Sequence, residues 1–224
     1  MLEVIGDVLP NAVGIAISPI PIIAVILMLM SPRSKQLGLG FLVGWLLGVL
    51  VVTAIFTLLA GVVPEPETSD DSKPVMAVIQ LALGLLLLLL AVRQWRSRPA
   101  HGETAELPAW MSKTDMMKPL AATGFAFLLG GVNPKNLLLA AAAGSMIGHG
   151  ELQLPEQLIV VLIFGVIATL TVAIPVIFVI AAPQKAAEVL AGVRTWLTAN
   201  NAVIMTVLFV VLGISVVGKG LGNF

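Results

Sequence analysis

Apolar residues accumulate in six long runs along this chain, over about 8–30, 38–62, 74–92, 119–147, 158–182 and 202–217, with polar residues gathered between them. A helix that crosses a bilayer needs about 20 such residues. A barrel strand would instead show about ten residues alternating apolar and polar, and no run here alternates. The pattern predicts an all-α integral membrane protein with six transmembrane helices, in one membrane domain over 1–224.

Two of the six runs carry interruptions. In the first, Ser18-Pro19-Ile20-Pro21 places two prolines in three residues at mid-helix. Each removes a backbone donor, and each biases its preceding residue toward extended angles. In the fourth, Gly130-Gly131-Val132-Asn133-Pro134-Lys135-Asn136 places a proline, two amides and a full positive charge among apolar neighbours. A lysine at mid-membrane costs about 2.5–3.5 kcal/mol on insertion scales, so something must offset it. Helices 1 and 4 are therefore expected to break at Pro19/Pro21 and Pro134, with Gly130 and Gly131 adding freedom. Irregular backbone at that depth is tolerated only against protein or a water-filled cavity. The fourth run, 29 residues long, would measure about 43 Å as one helix against a hydrocarbon core of about 30 Å. It must tilt, break or overhang.

Composition agrees with the pattern. The chain is 58% hydrophobic and 11% charged, with a mean hydropathy of +1.06, far from the roughly one quarter charged of soluble domains. Zero net charge gives no field for nucleic acid, and the lack of cysteine removes disulfides and thiol chemistry. Glu3 and Asp7 stand at the N-terminus without a basic residue, so the first run is expected to stay as helix 1. Of the twelve Lys and Arg residues, nine lie in the first, third and fifth loops and two on the other side, with Lys135 inside the membrane. The positive-inside rule puts those loops in the cytoplasm and both termini outside the plasma membrane, leaving the acidic segment with Glu65, Glu67, Asp70 and Asp71 external. The third loop, 93–118, holds Arg93, Arg96 and Arg98 around Trp95, and further on Trp110 and Asp115. Its second half reads equally as an interfacial helix or as a loop anchored by Trp110. Residues 183–201, with Lys185, Glu188 and Arg194, read as a linker.

The two halves, about 8–92 and 119–218, resemble each other. Pro19 and Pro134 lie 115 positions apart, and the same shift sets Ser18 against Asn133 and Pro21 against Asn136. Three helices per copy make the second copy enter from the opposite face, the inverted-repeat plan in which two discontinuous helices meet near the midplane. The breaks are thus expected to touch. Helix 2 carries Gly40, Gly44 and Gly48 at every fourth position, a face for close helix approach. It suits closure of the two halves on each other or a homodimer.

No catalytic constellation, metal-ligand spacing or cofactor motif is legible, which argues against an enzyme. His101 and His149 read as solvated loop residues. What remains is a cation framed by amides. Lys135 beside a restarted helix N-terminus favours an anionic group, and Asn133 and Asn136 suit hydroxyls or a headgroup. Lys135, Asn133, Asn136 and Ser18 are the candidate substrate contacts. Equally, the asparagines cap the broken helix and Lys135 bonds to carbonyls across the interface.

Pro108-Ala109-Trp110-Met111, then Asp115 and Pro119, then Asn133-Pro134-Lys135-Asn136-Leu137 resemble the GAP family of actinobacterial membrane proteins, the family of the sulfolipid-1-addressing and glycopeptidolipid-addressing proteins. More distantly the chain is similar to the lysine exporter superfamily, whose members carry a proline motif in the first helix and Asn-Pro-Lys in the fourth. The resemblance implies export of a polar or anionic cell-envelope glycolipid across the plasma membrane, or support of its synthesis or export machinery. The wider superfamily implies export of amino acids or cations, but Ser-Pro-Ile-Pro stands here in place of the Pro-Gly-Pro of amino-acid exporters.

Overall fold

A computed structural model describes residues 1–62, 73–98 and 117–222, and every regular element in them is a helix. In order these are α1 (Leu2–Ala16), α2 (Pro19–Leu29), α3 (Ser34–Val62), α4 (Lys73–Arg96), α5 (Pro119–Gly131), α6 (Pro134–Gly148), α7 (Leu154–Ala181) and α8 (Pro183–Gly222). Trp110, Asp115, His101 and the acidic segment fall outside the described residues. The first apolar run is the pair α1 and α2, bent by 55°, and the fourth is the pair α5 and α6, bent by 63°.

Met1–Val63 and Leu107–Leu197 form one compact unit. Its middle is α3, which packs against α2, α5, α6 and α7, while α1 packs against α6 and α7. On α3, Leu37, Phe41, Trp45, Val49, Thr53 and Thr57 recur every fourth residue and are all buried. Thr53 and Thr57 return their hydroxyls to the carbonyls of Val49 and Thr53 at 2.8 and 2.9 Å, so neither is left unpaired in the core. Phe41 stacks on Trp45 at 6.4 Å between ring centroids, and the Trp45 indole N–H donates to the Ala168 carbonyl of α7 at 3.4 Å.

The glycine face of α3 is occupied by α5. A Cβ on Gly44 would overlap the Thr123 carbonyl, one on Gly48 the Phe127 carbonyl, and one on Gly40 would lie 2.9 Å from the Pro119 carbonyl. From the other side, Gly130 faces the Trp45 carbonyl and Gly131 the Gly48 carbonyl, with added carbons at 2.8 and 2.9 Å. Backbone therefore rests on backbone, which only glycine permits. Gly130 and Gly131 are ordinary helical residues in this seam. Further along α3, Gly144 of α6 meets the Thr53 carbonyl at 2.6 Å in the same test. The α3 face thus closes the first half of the sequence on the second within one chain.

Pro64–Glu106 and Thr198–Phe224 form the other unit, whose described part is α4 with the later part of α8. Small residues recur at intervals of seven, Ala77, Gly84 and Ala91 on α4 and Gly213 and Gly220 on α8. Gly84 lies against Val217 and the Gly213 carbonyl, and Gly220 against the Ala77 carbonyl, so this pair too approaches through small side chains. At the end of α4 the Arg98 guanidinium lies over the Trp95 ring, 4.0 Å from its centroid.

Residues 183–201 are helical, not a linker. Ala186, Leu190 and Leu197 are buried at helical spacing, and the charged residues between them occupy the rest of the circumference. The 40 residues of α8 measure about 60 Å, twice a hydrocarbon core of about 30 Å. Among the described residues α3, α7 and α8 are each long and apolar enough to cross a membrane, and the two bent pairs raise the number to five if each pair is one span. The outward faces agree. Leu39, Val43, Leu47, Val51 and Ile55 on α3, and Leu158, Leu162, Val166, Leu170 and Ile174 on α7, point away from the protein. Continuous outward apolar stripes of that length fit a lipid solvent, and the chain is a multi-pass membrane protein.

Candidate functional site

The first break is built by a tight turn and two prolines. Ile17 has φ −79° and ψ 66°, the centre of an inverse γ-turn, and the Ser18 N–H donates to the Ala16 carbonyl at 2.8 Å. Ser18 is extended, as a residue before proline prefers, and Pro19 opens α2 at its first position with Pro21 two residues on. Both prolines stand where a helix has no use for an N–H. They start the second half-helix and do not kink a continuous one. Ser18 is buried, and its side chain makes no cap bond.

The second break uses the same device with a stronger cap. Asn133 precedes Pro134, the first residue of α6, and its Oδ1 accepts the Lys135 N–H at 3.0 Å. The Asn133 carbonyl accepts from Leu137 N–H at 2.8 Å, and Val132 N–H closes the end of α5 on the Leu128 carbonyl at 2.8 Å. Asn136, fully buried, donates its Nδ2 back across the break to the Leu129 carbonyl at 3.0 Å. That bond fixes the amide's orientation, since the reverse would set oxygen against oxygen.

The two breaks meet through Lys135. Its Nζ donates to the Gly14 carbonyl of α1 at 2.7 Å, and Leu139, one turn further on α6, lies against Gly14. Two residues along, the Thr171 hydroxyl of α7 donates to the Ala16 carbonyl at 2.7 Å. The ammonium thus sits at the carbonyl end of a half-helix, which carries about half a negative charge. A charge-assisted bond to a backbone carbonyl offsets part of the cost of burying a cation. One of the three ammonium donors is used this way. Asn136 Oδ1 and Thr169 Oγ1 are buried and have no partner among the described residues.

Of the sequence-predicted contacts, Lys135 joins the two breaks, Asn133 caps α6, Asn136 ties α6 to α5, and Ser18 lies buried at the start of α2. Pro19 and Pro21 are buried and Pro134 is exposed. Gly14 and Thr171 were not singled out from the sequence. Gly14 gives no signal, but a threonine four residues before Pro175 in an apolar helix does. His149 is a correction. It is half-buried at the C-terminal end of α6, with Nδ1 3.0 Å from the Ser145 carbonyl, because a helix end offers free carbonyls to a ring N–H. No cluster of three metal-ligating side chains occurs among the described residues.

The break geometry and the outward apolar stripes describe a multi-pass helical membrane protein with a lysine bonded across its two breaks, and comparison with known proteins gives it a family. No curated protein and no solved structure matches the chain. Residues 8–222 match the family described as Sap, sulfolipid-1-addressing protein. That match takes in both breaks and nearly every helix, and the chain belongs to the sulfolipid-1-addressing protein family.

Proposed function

We propose that the protein is a plasma-membrane exporter or flippase for a polar or anionic cell-envelope glycolipid, with its binding site at the two broken helices. Six spans are expected, α4 being the sixth, arranged as two inverted three-helix repeats with the odd loops cytoplasmic. The distant likeness to lysine exporters fits this plan. In this reading Lys135 meets the anionic or glycosidic headgroup, Asn133 and Asn136 hold the break that presents it, and Ser18 lies on the opposing break. The observation that carries the reading is the Lys135 ammonium, borne by the proline-started α6 and bonded to the carbonyl end of α1 at the other break, in a chain whose family is named for sulfolipid addressing. Half-helix ends at a midplane break are where secondary transporters bind charged substrates.

The test is mass spectrometry of lipids retained by the purified protein, wild type beside Lys135→Ala. Enrichment of one anionic or glycosylated lipid in the wild type and its loss in the variant is the expected result. Equal retention of bulk phospholipid by both proteins would sink the central-site idea and redirect the search to amino-acid and cation flux.

One observation favours a second reading, that of an accessory subunit for glycolipid synthesis or export. Lys135 Nζ and Asn136 Nδ2 already donate to carbonyls inside the protein. Co-purification of a lipid synthase or a large exporter, with unchanged binding by Lys135→Ala, would support it.

A further inference from the structure

We propose that Lys135 and Thr171 form a two-donor latch on the carbonyl end of α1, released when an oxyanion of a lipid headgroup takes the ammonium from Gly14. This rests on the lipid-transport reading and adds to it the event that couples substrate to a change of shape.

The last carbonyls of a helix lack intrahelical donors, and here the break decides which are left over. In a continuous helix the Gly14 carbonyl would receive the Ser18 N–H. The γ-turn sends that N–H to Ala16 at 2.8 Å, and Lys135 takes the vacated acceptor at 2.7 Å. The Ile15 carbonyl would receive the N–H of residue 19, which is Pro19 and has none. The Ala16 carbonyl receives Thr171 Oγ1 as well as Ser18 N–H. Side chains from α6 and α7 thus replace, from outside, the bonds that the break removes from α1. Losing both leaves the Gly14 carbonyl unpaired in a low-dielectric interior and the Ala16 carbonyl with the Ser18 N–H alone. The end of α1 therefore stays put until a better partner for the ammonium arrives.

An oxyanion is that partner. An ammonium bound to a sulfate, phosphate or carboxylate oxygen makes the stronger, charge-assisted pair, and Gly14 offers only a neutral carbonyl in competition. Thr171 is then a positioning residue. It touches no substrate, and it holds the Ala16 carbonyl while Lys135 exchanges partners. Its own backbone is suited to yield. Pro175 lies four residues on, inside α7, and its missing N–H leaves the Thr171 carbonyl without a helical donor. The turn of α7 that carries the clamp is therefore one bond short.

The natural absence of cysteine allows a direct test on the full chain. Spin labels go on Ile17→Cys and Val132→Cys, both exposed and each beside one break. Label–label distances are then measured in phosphatidylcholine nanodiscs, alone, with a sulfated galactolipid, or with its uncharged parent. We expect the sulfated lipid to shift the distance distribution and the uncharged one to leave it unchanged. Lys135→Gln should show the shifted distribution without lipid and respond no further. Thr171→Val should move part of the population the same way, and Thr171→Ser should restore the wild-type distribution. If native mass spectrometry finds the sulfated lipid bound while the distances stay fixed, the latch is wrong and the transport reading survives. A Thr171→Val distribution identical to wild type also overturns the latch. If the sulfated lipid is not bound at all, latch and transport reading fall together.

Discussion

Gly44 has the least room of any residue in the seam between α3 and α5. A methyl group there would occupy the place of the Thr123 carbonyl, and backbone cannot swing aside as a side chain can. Gly44→Ala is expected to destabilise the protein by about 1–3 kcal/mol, the usual cost of overpacking, read as a lower unfolding midpoint in detergent. Gly124→Ala on the neighbouring α5 is the control. A Cβ there meets nothing within 4 Å, so the better helix propensity of alanine should leave the midpoint equal or higher. Equal losses for both variants would mean the seam is not the tight contact described. Trp45 makes a second prediction at this scale. Trp45→Phe keeps an aromatic ring beside Phe41 but removes the indole N–H, the Ala168 carbonyl's second donor beside the α7 ladder. A loss of about 0.5–1.5 kcal/mol follows, and a midpoint equal to wild type would remove the bond from the account.

At the scale of elements, the two breaks are started by prolines but held by different groups. Asn133 caps α6 through its side chain, and Asn133→Ala should cost about 0.5–2 kcal/mol. Pro134 stands at the first helical position, where alanine is also accommodated, so Pro134→Ala should be milder than Asn133→Ala. The reverse order in unfolding midpoints would mean that the proline itself forces the break. Both break positions were legible in the sequence, because proline acts on its own neighbours. Their mechanism was not, because the γ-turn at Ile17 depends on where Ser18 N–H finds its acceptor. The pairing of Lys135 with Gly14 spans 121 positions, and no local pattern carries that. The glycine stripe was legible as a packing face, and only the fold says that α5 fills it. Residues 183–201 look like a linker by their charges, Lys185, Glu188 and Arg194, while Ala186, Leu190 and Leu197 hold the helical period.

For the whole molecule, the arrangement of charge predicts a sidedness. Arg33 is exposed in the turn after α2, and Glu3 is exposed near the start of α1. In the orientation proposed, a cysteine at Glu3 should react with a membrane-impermeant maleimide in intact cells, and a cysteine at Arg33 only after lysis. The opposite labelling would invert the topology. The same unit, read by its contacts, is mechanically lopsided. Across the second break α3 lies like a splint, bound to α5 through Gly40, Gly44 and Gly48 and to α6 through Gly144, so that the 63° bend is braced on both arms. The first break is spanned by α7, which packs against both α1 and α2, but among the described residues no glycine brings backbone onto backbone on either arm there, and the end of α1 is held by two side-chain donors. Two breaks that look alike in sequence are then unequal in stiffness, one a fixed elbow and the other a spring catch. A carrier whose two gates were equivalent would rest with both faces equally populated. In the transport reading proposed above, a preferred resting face follows, and amide hydrogen exchange should be faster around Ile17 and Ser18 than around Val132 and Asn133.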